Sequence, residues 1–207
     1  MSDEKLDTEI RREQIAEAVL SLVAAHGVNR LSMARVARHV GLVPSGIYRH
    51  FKNKDEMILA ALDRIEVRLQ ENIRAAAEEN SDPLDQLRTL LMRHVRMIRE
   101  GRAVPRIVLS DDAHSGHPER LARVRQIVGA YLGHLAELVR QGQVEGTIRA
   151  DVDPPTAALM FLGIVIPAGI LWHLTDGKFD ATRHAERAWQ VFRRAVVTEA
   201  GFTTETM

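Results

Sequence analysis

Apolar side chains recur along this chain every three or four residues, the spacing that places them on one face of an α-helix. Ile15, Val19 and Leu22 begin the series, and Ile58, Leu62, Ile65 and Leu69 form a longer stripe over residues 55–79. Leu84, Leu87, Leu91, Val95 and Ile98 follow, then Leu121, Val124, Val128, Tyr131, Leu135 and Leu138. The breaks between stripes carry helix start and stop residues. Asn80-Ser81-Asp82-Pro83 offers a cap and a proline at the first helical position, and Gly101 ends the helix that results. A short piece is expected over Val104–Asp112, a long helix from Pro118, and a loop through Gly142, Gly146 and Asp151–Pro155. The last two helices are expected at roughly 155–175 and 180–200. No stretch alternates long enough to argue for a sheet, and there is no internal repeat. The fold class is therefore all-α.

Two shorter helices precede these. Ser32 caps a helix through Val40 with Val36, Ala37 and Val40 on its apolar side, and Gly41 supplies the left-handed residue that ends it. Pro44 opens a second helix through Ser45-Gly46-Ile47-Tyr48-Arg49-His50, stopping near Phe51. Two short helices joined by a glycine turn make a helix-turn-helix, whose second helix can enter a DNA major groove. Ile47 and Phe51 face inward at i,i+4, which leaves Ser45, Gly46, Tyr48, Arg49 and His50 outside. Asn53-Lys54-Asp55-Glu56 has the form of a capping box opening the next helix.

Charge sharpens that reading. The whole chain has a formal net charge of +0, yet no acid lies between Ala18 and Lys54, a window holding Arg30, Arg35, Arg38, Arg49, Lys52 and Lys54. A cationic segment on a neutral protein calls for a polyanion, and double-stranded DNA fits. Arg49 can reach a guanine edge or a phosphate, Tyr48 and His50 suit phosphates, and Gly46 lets the backbone approach closely. With Ser32, Pro44, Ser45, Lys52 and Lys54 they make the candidate DNA-binding set.

Ala157–Trp172 is apolar on every side. It falls short of the ~18–20 residues a membrane span needs, and Pro167 interrupts it, so a membrane role is not expected. Such a helix must be covered on several sides. One side is expected to face its own core and another a second subunit, through Leu162, Val165, Ile166, Gly169 and Trp172, joined by Ala188, Val191, Phe192 and Ala195 of the last helix. Polar residues interrupt the apolar stripes at His94, Tyr131, His134 and His173. With Leu91, Ile127 and Met160 they are the candidate lining of a small-molecule pocket.

Enzymatic signatures are absent. There is no glycine-rich phosphate loop, no His-Glu-x-x-His, no Gly-x-Ser-x-Gly, and no cysteine in the chain. No catalytic residue, cofactor or metal is assigned. Asp111-Asp112-Ala113-His114-Ser115-Gly116-His117 carries metal-capable side chains but reads better as a solvated connection. The polar, acidic start gives no sign of a secretory signal, so a cytoplasmic location is expected.

Residues 9–57, through Gly41-Leu42-Val43-Pro44-Ser45-Gly46-Ile47-Tyr48-Arg49-His50-Phe51-Lys52-Asn53-Lys54-Asp55-Glu56-Met57, closely resemble the DNA-binding domain of the tetracycline-repressor (TetR) family. The resemblance implies phosphate contacts by Tyr48, His50 and Lys54, and a backbone contact at Ser32. Val43 departs from it, because the family usually has Ser or Thr there. It also implies nine helices in two groups, a head at 1–53 and a ligand-binding and dimerisation domain at 54–207. Dimerisation through the last two helices would put two recognition helices ~34–36 Å apart on a pseudo-palindromic operator. The expected function is a ligand-responsive regulator, chiefly a repressor released by a small hydrophobic effector. The alternative is a DNA-binding or protein-interaction module without a small-molecule input.

Overall fold

The computed structural model describes residues 3–100, 107–108 and 116–198, with side chains from residue 8 onward. Among them are eight α-helices, a short 3-10 turn at Val28–Arg30 and one isolated antiparallel bridge between Ile148 and Val197. The helices are α1 (Asp3–His26), α2 (Met33–His39), α3 (Pro44–Ile47), α4 (Lys54–Glu79), α5 (Pro83–Arg99), α6 (Pro118–Val144), α7 (Pro154–Leu174) and α8 (Ala181–Val196). Nine were expected. The piece placed at Val104–Asp112 lies outside the described residues except for Ile107 and Val108, which are helical.

The chain packs as two compact units, Met1–Arg68 with Gly101–Ile127, and Leu69–Glu100 with Val128–Met207. Helices α4 and α6 each contribute residues to both. The first unit thus includes the opening of α4 and of α6 as well as the 1–53 segment.

In the first unit, Ile15, Val19, Leu22, Val36, Ile47 and Phe51 are buried together with Met57, Ile58, Leu62 and Ile65 of α4. Val40, placed in this core by its spacing, is only half-buried and caps α2 instead. Ion pairs tie the helices together. Glu17 on α1 accepts from Arg64 Nε at 3.1 Å and from Arg68. Asp55 accepts from Arg120, and Arg123 holds Asp63 at 2.7 Å and Glu66 at 2.5 Å.

The second unit is built on α5, α7 and α8, which pack on one another. Each begins at an aspartate. Asp82 accepts from the amides of Leu84 and Asp85, Asp153 from that of Thr156, and Asp180 from that of Arg183. These carboxylates satisfy amides that a helix start leaves without partners. The chain leaves α8 at Val196, short of the expected 200, because residues 197–198 turn to pair with residues 147–149. Arg149 N donates to Val196 O at 2.9 Å and Thr198 N to Thr147 O at 3.2 Å. Gly142 lies inside α6 rather than in a loop. A Cβ there would meet Ile148 Cδ1 at 2.7 Å and Cγ1 at 2.8 Å, so a larger residue would force the buried Ile148 side chain to shift.

Helix α7 runs unbroken through Pro167 to 21 residues. The proline's missing bond would have gone to the carbonyl of Gly163, which is exposed and has no Cβ neighbour within 4 Å, so that carbonyl is free to tilt outward. By length and composition α7 is therefore long and apolar enough to cross a membrane, which corrects the expectation that it falls short. Its inward side is packed in this fold, with Phe161, Val165 and Ala168 at most 1% exposed.

Candidate DNA-binding head and ligand-domain site

The DNA-facing geometry begins at the end of α2. Gly41 has φ +73°, its amide bonds back to Arg38 O at 3.3 Å, and the next amide, of Leu42, reaches Ala37 O at 2.8 Å. This paired closure at a left-handed residue turns the chain sharply into Val43 and Pro44. Val43 is 66% exposed and offers no side-chain cap, so the α3 start rests on Pro44 alone.

The α-helical part of α3 ends at Ile47, earlier than the expected His50. Beyond it the turn tightens, with Arg49 N on Gly46 O at 3.3 Å and His50 N on Ile47 O at 3.0 Å. Burial of both Ile47 and Phe51 draws the chain inward and swings Tyr48 and Arg49 out. Tyr48 is 59% exposed, and Pro44, Ser45, Arg49 and Lys52 are exposed as well. His50 and Lys54 are half-buried, each with an interaction to a neighbour. Ser32 accepts from Arg35 N at 3.2 Å, and its hydroxyl proton remains available to a phosphate. The capping box forms: Glu56 N donates to Asn53 Oδ1 at 2.9 Å, and Glu56 Oε2 accepts from Lys52 N at 2.8 Å.

Arg12 was not among the candidates. Its guanidinium donates to His50 O and lies 4.2 Å from the centroid of the Phe51 ring, so α1 clamps the exit of the recognition turn. Its partners lie far along the chain, and only its position one turn ahead of Ile15 hinted at an inward reach.

Gly46 separates structural need from DNA proximity. An added Cβ would meet only ordinary contacts, 3.6 Å to Val43 Cγ2 and 3.8 Å to Leu42 Cβ. Gly46→Ala should therefore leave thermal stability unchanged or raised, yet weaken operator binding measured by fluorescence anisotropy. Lys54→Ala should lower the magnitude of the log K against log salt slope by about one unit. Arg49→Ala should cost ~1–3 kcal/mol at one base position if it reads a base edge. An equal loss on all sequences would assign Arg49 to the backbone.

In the second unit, two of the proposed ligand residues meet. His94 Nδ1 lies 3.1 Å from Tyr131 Oη, with the rings edge-to-face at 82° and 5.3 Å between centroids. Burial holds His94 down at about 4 and pushes the Tyr131 hydroxyl above its ordinary value, so both are neutral near pH 7. Leu91, one turn before His94 on α5, is fully buried. His134 is half-buried, its pKa lowered by burial against the opposing charge of Glu137, and His173 is half-buried with a partner of its own. Ile127 is buried but belongs to the first unit. Met160 is not lining: it is 52% exposed, because α7 turns it away from the core that takes Phe161.

The interface candidates divide likewise. Val165 and Phe192 are 1% and 3% exposed, and Gly169 is buried, so these three belong to the subunit's own core. Phe192 packs edge-to-face on Phe161 at 6.1 Å. Leu162, Ile166 and Ala188 are half-buried, and Val191 and Ala195 are exposed. Trp172 is half-buried against Gly177. The apolar face left open runs instead through Leu159, Met160, Ile170, Leu171 and Leu174 on α7, with Val191 on α8. Asp111, Asp112 and His114 of the metal-capable segment lie outside the described residues, and His117 Nδ1 sits 3.5 Å from Asp55 Oδ1.

Comparison with known proteins decides the family. Residues 15–61 match the bacterial regulatory proteins of the tetR family, and residues 80–196 match the tetracyclin repressor-like C-terminal domain. The chain belongs to the TetR family. It is a DNA-binding transcriptional regulator with an all-α TetR fold. Among its relatives is the nucleoid occlusion factor SlmA of Vibrio vulnificus, 26% identical over 181 residues, covering 86% of this chain and 92% of the relative. The structure of FadR from Bacillus subtilis in complex with stearoyl-CoA superposes with a TM-score of 0.75 at 20% identity, over 86% of this chain and 96% of that one. AibR in complex with isovaleryl coenzyme A and operator DNA gives 0.69 at 22% identity, over 87% and 97%.

Proposed function

We propose that this TetR-family regulator is a repressor that binds a pseudo-palindromic operator as a homodimer and is released by a hydrophobic acyl effector, most simply an acyl-coenzyme A thioester. The observation that carries the ligand half is the neutral His94–Tyr131 pair, a buried polar couple among the aliphatic and aromatic core residues of the second unit. With Tyr131 donating to Nδ1, the proton of neutral His94 sits on Nε2, a donor suited to one carbonyl oxygen. A single oriented donor in apolar surroundings selects a long apolar molecule with one polar group. The acyl-CoA complexes of the structurally similar FadR and AibR point to the same chemistry. In this reading Tyr48, His50, Lys52, Lys54 and Ser32 hold the DNA backbone, Arg49 and Ser45 face the bases, and the protein acts in the cytoplasm. No catalytic step is assigned to it.

The test is operator release. Full-length protein on a labelled operator should dissociate on addition of acyl-CoA thioesters, with a preferred chain length. Tyr131→Phe keeps the volume and removes the hydroxyl, and should raise the concentration needed about tenfold, the equivalent of ~1.4 kcal/mol. Operator binding that no acyl-CoA, fatty acid or other hydrophobic compound alters would overturn this reading. It would favour the DNA-binding module without ligand input, in line with the similarity to a nucleoid occlusion factor.

A further inference from the structure

The second unit has an open pocket of about 550 Å³ lined by Arg96 and Arg99 of α5 and its C-cap Glu100, by Trp172 of α7 and by residues 177–180 of the α7–α8 connection. We propose that it binds a diphosphate carried on a sugar and a flat ring, the chemistry of a nucleoside diphosphate.

Three cations converge here. Arg96 and Arg99 project from one side of the last turns of α5, and Lys178 from the α7–α8 connection. Arg99 Nη1 donates to Thr182 Oγ1 at 2.7 Å, which fixes its guanidinium without neutralising it. Arg96 and Lys178 have no ion-pair partner among the described residues. Against these three cations the lining sets two acids, Glu100 and Asp180, and Asp180 already accepts from Arg183 N at 3.0 Å as the cap of α8. The pocket therefore carries a cationic excess, the requirement for a diphosphate.

Aromatic walls stand beside the charges. Trp172 packs its six-membered ring on Gly177, where an added Cβ would lie 3.4 Å from Cζ2, and Phe179 is backed by His184 at 5.6 Å between ring centroids. Flat heterocycles stack on such rings.

The connection is built rigidly. Gly177 has φ +79° and Asp176 φ 50°, Gly177 N bonds to Trp172 O at 2.8 Å, and Phe179 N bonds to Thr175 Oγ1 at 2.8 Å. A left-handed pair stapled at both ends holds Lys178 and Phe179 in place before any ligand arrives, which reduces the ordering cost of binding. The volume suits one nucleotide. The same chemistry is offered by a free nucleotide and by the nucleotide end of a coenzyme. The site uses none of the acyl-effector residues, so the free-nucleotide outcome is independent of that reading, whereas the coenzyme outcome rests on it.

The experiment titrates the full-length protein with ADP, adenosine, pyrophosphate and coenzyme A in separate arms, by calorimetry and tryptophan emission. ADP or coenzyme A should bind saturably, with adenosine and pyrophosphate each at least ~10-fold weaker. Tighter ADP identifies a free nucleotide, and tighter coenzyme A identifies the coenzyme end. The double variant Arg96→Gln, Lys178→Gln should weaken binding at least ~10-fold while leaving operator affinity unchanged. Trp172→Phe should abolish the emission response, because Trp189 is buried elsewhere. In the unaltered protein, a photoreactive azido-ADP should label Trp172 or Phe179. No saturable binding at millimolar concentration, undiminished binding by the double variant, or labelling elsewhere would each overturn the proposal.

Discussion

Leu174→Glu combined with Val191→Glu is expected to turn a dimeric operator-binding protein into monomers that hold the operator about 10²–10⁴-fold more weakly. Both side chains are exposed in the isolated subunit, at 72% and 71%, so the charges disturb no core of their own. They sit on the open apolar face formed by Leu159, Met160, Ile170, Leu171 and Leu174 of α7 and by Val191 of α8. Contiguous apolar side chains of this extent mark an interaction surface, whereas the other exposed apolar residues, such as Val144 and Val43, lie on other elements. Two helices presented by each subunit would make a four-helix contact with twofold symmetry. Introduced carboxylates would be buried without partners there, and each would cost several kcal/mol. Light scattering reads the assembly state and anisotropy the operator affinity. A double variant that remains dimeric would place the contact elsewhere.

That face is also where reading the sequence had least to work with. In α5 the alternation of Leu84, Leu87, Leu91, Val95 and Ile98 with charged residues states which side turns inward, and all five are buried, with Leu90 and Met97 widening the stripe. Helix α7 is apolar all round, so its composition says that it is covered without saying from which side. Val165 and Gly169 were accordingly given to a partner although the subunit buries them itself, and Met160 was given to a ligand although it faces out. The same loss of phase explains Trp172, which was given to the partner but packs on Gly177 of its own subunit.

Local signals fared better. Ser32, Gly41, Pro44 and the Asn53–Glu56 cap act through neighbours a few residues away, and each does in the structure what its residue type allows. Long-range pairs had no such signature. Arg12 with His50 and Phe51, Arg120 with Asp55, and Glu17 with Arg64 and Arg68 join residues 38–65 positions apart. Helix α6 carries Arg120 and Arg123, which hold Asp55, Asp63 and Glu66 of α4, and two to three turns later the ligand candidate Tyr131.

Acid should destabilise this protein through His94 in a defined window. Burial lowers its pKa from 6.5 to about 4 in the folded state, whereas in the unfolded chain it keeps the ordinary value. Between those values the unfolded chain binds more protons than the folded one, so stability falls as pH drops from about 6.5 to about 4. The contribution is fully present above pH ~6.5. At 1.36 kcal/mol per unit it amounts to about 3 kcal/mol once pH 4 is passed. Tyr131 does not offset it, because its hydroxyl is held above its ordinary range and stays neutral throughout. The surface carboxylates also titrate at the acid end, so the informative quantity is a difference between proteins. Urea denaturation at fixed protein concentration should show the unaltered chain losing about 2 kcal/mol more than His94→Gln between pH 7 and pH 5. Gln keeps a polar group opposite Tyr131 without a titrating ring. His134→Asn, at a half-buried position, should remove much less of the slope. Parallel pH profiles for the unaltered chain and His94→Gln would mean that His94 gains its proton without cost, and so is not sealed beside Tyr131 in the way the effector reading requires.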